Sequence, residues 1–296
     1  MLSCLAKMHY YLPEEETHVE FYEPLSDEDY HKIETSLNLV SEFRYYKRLK
    51  EFVVLNFKEI TAFLDNSPKK ITEVKFSVDY IKSTDVEFVK IELNRLLMNY
   101  LSSIRTYLDH SETKLKKRYG KSSSEFDNFK KSTNKLYDNK FAYRFIYKLR
   151  NYAQHIELPI SKIGYETQRV MKSQEIRRTL TPYFDRDELL TKYSDWGVVE
   201  DDLLREKRTF PLMSIIEQMT DSILKVAEVV EKDIRKSFSL PLKEVLCMIE
   251  NKSSERGMVF LARDIKKNSK GEVILYTNVF LPINEMREIL NESTES

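Results

Sequence analysis

The sequence predicts a mainly α protein with a small C-terminal α+β appendage. Apolar residues recur at three- and four-residue steps through most of the chain. Capping and stop signals bracket those stretches, and the clearest hairpin signal is the polar run 266–271 between two apolar segments near the C-terminus. A length of 296 residues leaves room for about two domains. The reading divides the chain into an N-terminal helical region (1–80), a helical bundle (81–238) and a C-terminal helix, hairpin and helix (239–296). An irregular or β-hairpin insertion is expected within the bundle at about 160–195.

The elements follow in order. After a polar opening, Ser26, Asp27, Glu28 and Asp29 supply a cap and first-turn acids. Ile33, Leu37, Val40, Phe43, Leu49, Val53, Phe57, Ile60 and Phe63 then mark one long helix or a broken pair that stops before Asn66, Ser67 and Pro68. Ile71, Val74, Phe76, Val78 and Tyr80 read as a short strand or a connector. A strong helix spans 85–118, with Gly120 as its stop, and its apolar face runs from Val86 to Leu115. Residues 114–139 are rich in lysine and read as a solvated connector. A second strong helix covers 141–155, with Ala142, Phe145, Leu149 and Tyr152 on one side, and Pro159 biases Leu158 away from helical backbone. Pro211 opens a helix that closes near Ser237, and a shorter helix begins at Pro241. A hairpin at 258–281 and a terminal helix at 282–291 complete the chain.

Composition removes several function classes. The 48 Lys and Arg balance the 48 Asp and Glu, so any binding of nucleic acid has to come from a local patch. The five glycines are too dispersed for a phosphate-cradling loop, which needs several within about eight positions. Cys4 and Cys247 stand far apart, which leaves a zinc thiolate site unsupported and fits a reducing compartment. None of the five histidines forms a metalloprotease pair, and no nucleophile elbow is present. Lys7 and His9 interrupt the N-terminal apolar run, and no stretch reaches the about 18 apolar residues of a membrane span. A cytoplasmic chain with no membrane contact, no metal and no cofactor is the expectation.

The chemistry-bearing residues concentrate at the end of the 141–155 helix. Arg150 offers a planar fork to phosphate oxygens, Asn151 a neutral donor, and His155 an imidazole of the kind that exchanges protons near neutrality. Arg150 and His155 lie about 140° apart around the helix, whereas Asn151 and His155 share a face. Spacing alone fits either a phosphate site or cations that merely favour a helix C-terminus. On the preceding long helix, Asn99, Ser103, Thr106 and His110 form a narrow polar stripe, with Asp109 beside it. This stripe either faces solvent or holds substrate and orients His155. Lys114, Lys116, Lys117 and Arg118 open the only dense basic run, in which nine Lys or Arg between 113 and 140 meet three acids. That run is either a solvated linker or a patch for RNA phosphates.

Arg150, Asn151 and His155 at a helix end, following a long helix with a polar stripe, resemble the HEPN superfamily (higher eukaryotes and prokaryotes nucleotide-binding domain) and its Arg-x(4–6)-His motif. The string from Lys148 to His155 is similar to HEPN proteins of bacterial conflict and phage-defence systems. The resemblance covers residues 85–159, with 211–237 as the closing helix. It implies a HEPN-like helical bundle, a homodimer that joins two motifs in one cleft, and metal-independent endoribonuclease activity in a toxin–antitoxin or antiviral setting. His155 would then be the general acid/base, Arg150 the phosphate clamp and Asn151 an auxiliary donor, with an antitoxin or other defence protein as a further partner. Many family members only bind, so a non-catalytic module for RNA or protein is the alternative. A purely structural helical protein is the third.

Overall fold

The computed structural model describes residues 2–10, 17–75, 78–81, 83–170, 175–250 and 257–290. Two strands, β1 (Cys4–Tyr10) and β2 (Thr17–Pro24), precede α1 (Asp27–Ile71). The hairpin β3 (Thr72–Lys75) and β4 (Val78–Ile81) leads into α2 (Ser83–Tyr119), α3 (Ser124–Asn139) and α4 (Phe141–His155). Next come β5 (Lys162–Val170), β6 (Glu175–Asp185), α5 (Arg186–Lys192), α6 (Val199–Arg205), β7 (Thr209–Pro211) and α7 (Leu212–Glu250). The chain continues through β8 (Gly257–Lys267), β9 (Val273–Phe280) and α8 (Ile283–Leu290). The protein is mainly α, with small antiparallel sheets. Among the described residues no helix is long and apolar enough to cross a membrane.

Contacts divide the chain into two units, Met1–Tyr45 with Glu231–Ser296, and Tyr46–Val230. The first unit is built on a four-stranded antiparallel sheet of order β2-β1-β8-β9. Cys4, Ala6, Phe260 and Ala262 form a buried cluster, against which Met8, Val19, Phe21 and Tyr276 pack. Ile33, Val40 and Phe43 of α1 and Phe238, Leu242 and Val245 of α7 are also fully buried. The Ser36 hydroxyl donates to the Pro241 carbonyl at 3.3 Å, and Arg44 pairs with Glu285 at 2.5 Å.

In the second unit α2 runs antiparallel to α4. The Asn94 amide donates to the Ile160 carbonyl and its oxygen accepts from the Ile160 N–H, both at 3.0 Å. Farther along α2, the Arg105 guanidinium lies 4.9 Å from the centre of the Tyr147 ring. The Tyr100 hydroxyl donates to the Ile216 carbonyl of α7 at 2.8 Å. Phe145 and Tyr152 of α4 stack on the fully buried Trp196, whose indole N–H donates to the Leu189 carbonyl at 3.1 Å. Asp185 caps α5 by accepting from the amides of Asp187 and Glu188, and it also pairs with Lys162.

Several expected boundaries change. Residues 1–80 are not purely helical, because β1 finds its partner in β8 at the other end of the chain. The 239–296 segment therefore shares its sheet with the N-terminus instead of standing alone. The helix α1 passes Asn66, Ser67 and Pro68, with the Ser67 hydroxyl donating to the Phe63 carbonyl at 2.6 Å. Pro241 lies inside a continuous α7, so the expected break at 237–241 is absent. The lysine-rich connector is largely helical: Ser123 caps α3 by accepting from the Phe126 amide, and Phe129 anchors it at 2% exposure. Gly120, at φ +89°, ends α2 as expected. The insertion forms its hairpin, extended by β7 and by the two short helices.

Candidate functional site

Helix α4 is amphipathic in a way that sorts its polar residues. Ala142, Phe145, Ile146, Leu149 and Tyr152 are buried on one side. Arg144, Lys148, Asn151 and His155, at successive steps of four, three and four, form a polar stripe on another. The first three residues of this stripe face the segment running from α5 into α6. Arg144 donates to Asp202 at 2.9 Å and Lys148 to the Asp195 carbonyl at 2.8 Å, while Asn151 lies near the Tyr193 hydroxyl, which donates to Asp195 at 3.3 Å. Burial, followed by the charge of Asp195, raises the Tyr193 pKa, and the nearby Asn151 amide partly opposes that shift. His155 is the fourth member. It is exposed and has no hydrogen-bond or ion-pair partner among the described residues.

Arg150 faces elsewhere. Its side chain is half-buried, and its Nε is fully buried without a hydrogen-bond partner. A buried guanidinium N–H left unpaired costs about 1–3 kcal/mol or more, which makes it an unusual group to leave unsatisfied. Tyr147 precedes it by three positions on the same side of α4, and Arg105 covers that tyrosine. Arg150 and His155 are thus held apart, about 7.5 Å along the helix axis and about 140° around it. Beyond the helix, Glu157 pairs with Lys192 at 2.5 Å and fixes the departing chain.

The supporting residues disperse. The match of Asn94 with Ile160 and of Arg105 with Tyr147 sets the levels of α2 against α4. Asn99 is exposed, and the Ser103 hydroxyl donates to its own helix at the Tyr100 carbonyl, 2.8 Å away. Thr106, Asp109 and His110 lie level with the first half of α4, away from the His155 end. Asp109 pairs with Arg105 at 2.7 Å, and the structure shows no contact between it and His155. Lys116, Lys117 and Arg118 are exposed at the end of α2, with Lys114 half-buried beside them. Sequence reasoning overlooked Tyr193, Tyr147 and Arg105, of which only Arg105, four residues before Asp109, carried a visible pairing signal.

Among the described residues no three His, Cys, Asp or Glu side chains are grouped to hold a metal ion. Comparison with protein-family models, with curated proteins and with solved structures returns no match.

Proposed function

We propose that the protein is a metal-independent endoribonuclease with a HEPN-like bundle, acting as a homodimer in a toxin–antitoxin or antiviral setting. The observation that carries this reading is the half-buried Arg150, whose Nε lacks any partner, on the same helix end as an exposed, unpartnered His155. A phosphodiester brings acceptor oxygens to the open end of this guanidinium, and reaches the buried Nε as well once the side chains over it shift. His155 of one chain takes the proton from the ribose 2′-hydroxyl, and O2′ attacks phosphorus. Arg150 then offsets the charge that builds on the phosphorane oxygens. The P–O5′ bond breaks, and a protonated His155 of the second copy gives its proton to the leaving oxygen.

Two copies solve the geometric problem posed by one. The 140° between Arg150 and His155 means that within one chain the long arginine side chain has to swing over to reach a phosphate beside the imidazole. A two-fold pairing of α4 ends sets the arginine of one copy beside the histidine of the other. The test is incubation of RNA with the pure protein in EDTA, beside an Arg150→Ala/His155→Ala double variant. Cleavage by the first and none by the second is expected. Equal cleavage by both would refute the reading.

The same separation favours a second reading, in which Arg150 and His155 belong to a non-catalytic surface for RNA or a partner protein. RNA binding without cleavage by a protein that stays monomeric in light scattering would establish it.

A further inference from the structure

Helices α2, α3 and α4 line an open pocket of about 370 Å³ that the catalytic proposal does not use. This is the size range of small-ligand sites, which runs from about 300 to 1,000 Å³. Its floor is apolar, made by Leu108 and Phe129 at 7% and 2% exposure. Its wall is aromatic. Tyr137 and Tyr147 meet edge to face with centroids 6.4 Å apart, and Tyr147 keeps 40% of its surface exposed at the mouth.

The polar groups lining the cavity are balanced. Arg105 pairs with Asp109 at 2.7 Å and Lys130 with Glu112 at 3.3 Å, so the lining carries no formal net charge. Asn134 lies at the rim, and among the described residues its amide has no partner. The Tyr143 hydroxyl is held protonated by burial, its pKa raised well above the ordinary tyrosine value, so it can donate inside the cavity. A neutral, aromatic-walled cavity with amide and hydroxyl edges suits a flat heterocycle better than it suits a phosphate.

Basic side chains sit outside the cavity. Lys116, Lys117 and Arg118 at the end of α2 and Lys135 on α3 are exposed. Tyr147 stands one helical turn from Arg150, about 4.5 Å along the axis. A flat ring set against Tyr147 thus has Arg150 one helical turn away along α4 and the basic end of α2 in the opposite direction.

We propose that this cavity binds one unstacked base of single-stranded RNA and selects the nucleotide next to the phosphate held by Arg150. The place given to Arg150 rests on the ribonuclease reading. The base pocket itself rests on the cavity.

The test uses the full chain and fluorescence anisotropy with cleavage-resistant 2′-O-methyl hexanucleotides, each paired with a version lacking one base. Wild type binds the intact hexamer more tightly than the abasic one. Tyr147→Ala weakens the intact hexamer about 10- to 100-fold and removes that difference, while Tyr147→Phe keeps it. Mononucleotides bind far more weakly than the hexamer. Equal binding of the intact hexamer by wild type and a folded Tyr147→Ala would overturn the proposal, and mononucleotides binding as tightly as the hexamer would overturn RNA as the source of the base. Cleavage of unmodified RNA is scored separately. Intact cleavage without Tyr147 dependence sinks only the pocket, and base-dependent binding without cleavage sinks only the ribonuclease.

Discussion

Arg144 and Arg150 belong to the two halves of one helix and are used in opposite ways. Arg144 directs Nε and Nη2 to Asp202, both at 2.9 Å, and Nη1 to the carbonyls of Tyr137 and Asp138 at 2.6 and 2.8 Å. It ties the end of α3 and the start of α4 to α6. Arg150 is also half-buried, but its Nε has no acceptor. An arginine with every face of its fork occupied is part of the scaffold. In the proposed mechanism the one held by packing alone takes its acceptor from the RNA phosphate, which offsets the cost of desolvating an unpaired donor.

The largest effect that separates the halves is on rate. In the proposed mechanism Arg150→Ala and His155→Ala each lower RNA cleavage by about 10²–10⁴-fold. In urea denaturation the exposed His155→Ala leaves the unfolding free energy within about 0.5 kcal/mol of wild type, and Arg150→Ala, which removes a buried N–H whose lack of a partner opposes folding, does not lower it by more than about 1 kcal/mol. Arg144→Ala does the reverse. Its side chain and that of Asp202 are only 15% and 16% exposed, so losing the fork lowers stability by about 2–3 kcal/mol, read by urea denaturation. The folded Arg144→Ala protein keeps its cleavage rate. Equal stability losses in Arg144→Ala and Arg150→Ala would erase the contrast.

Asp185 sharpens the structural side through pH. Burial favours its neutral form, but the Lys162 ammonium and the α5 amides outweigh that and hold its carboxyl below the ordinary value of 3.8. A carboxyl depressed in the folded state adds stability above its unfolded pKa and loses it as pH falls through the folded pKa. Unfolding free energy should therefore drop as pH is lowered below about 4, and Asp185→Asn should flatten that drop. The substitution also lowers neutral-pH stability by about 1–2 kcal/mol, since a capping oxygen remains while the charge is lost. An unchanged acid slope in Asp185→Asn would remove Asp185 from the account. The smallest observable is assembly: micromolar protein should scatter light as a dimer, and the proposed mechanism predicts that a monomer is inactive.

The two arginines are indistinguishable in the sequence, and this shows what was legible. The 3.6-residue period exposed α2 and α4 almost to their ends, because each buries one continuous apolar face. The stop at Gly120 was legible because positive φ favours glycine. Helix α3 was hidden, since its lysines mask a face anchored by Phe129 alone among its fully buried residues. Strand β1 was hidden because its pairing with β8 joins opposite ends of the chain. Asp202 stands 58 positions from Arg144, so no local pattern marks Arg144 as structural. Asn151 carried the same limit, for Tyr193 is a neighbour that only the fold brings near.

The most direct measurement of the central claim is the chemistry of the RNA ends. Attack by the ribose 2′-hydroxyl predicts fragments with a 2′,3′-cyclic phosphate and a 5′-hydroxyl, formed in EDTA, and resistance of a substrate carrying a single 2′-deoxy nucleotide at the cut site. Fragments with 5′-phosphate ends, or cleavage of the 2′-deoxy substrate at the same position, would show that water attacks instead and would contradict the roles given to Arg150 and His155.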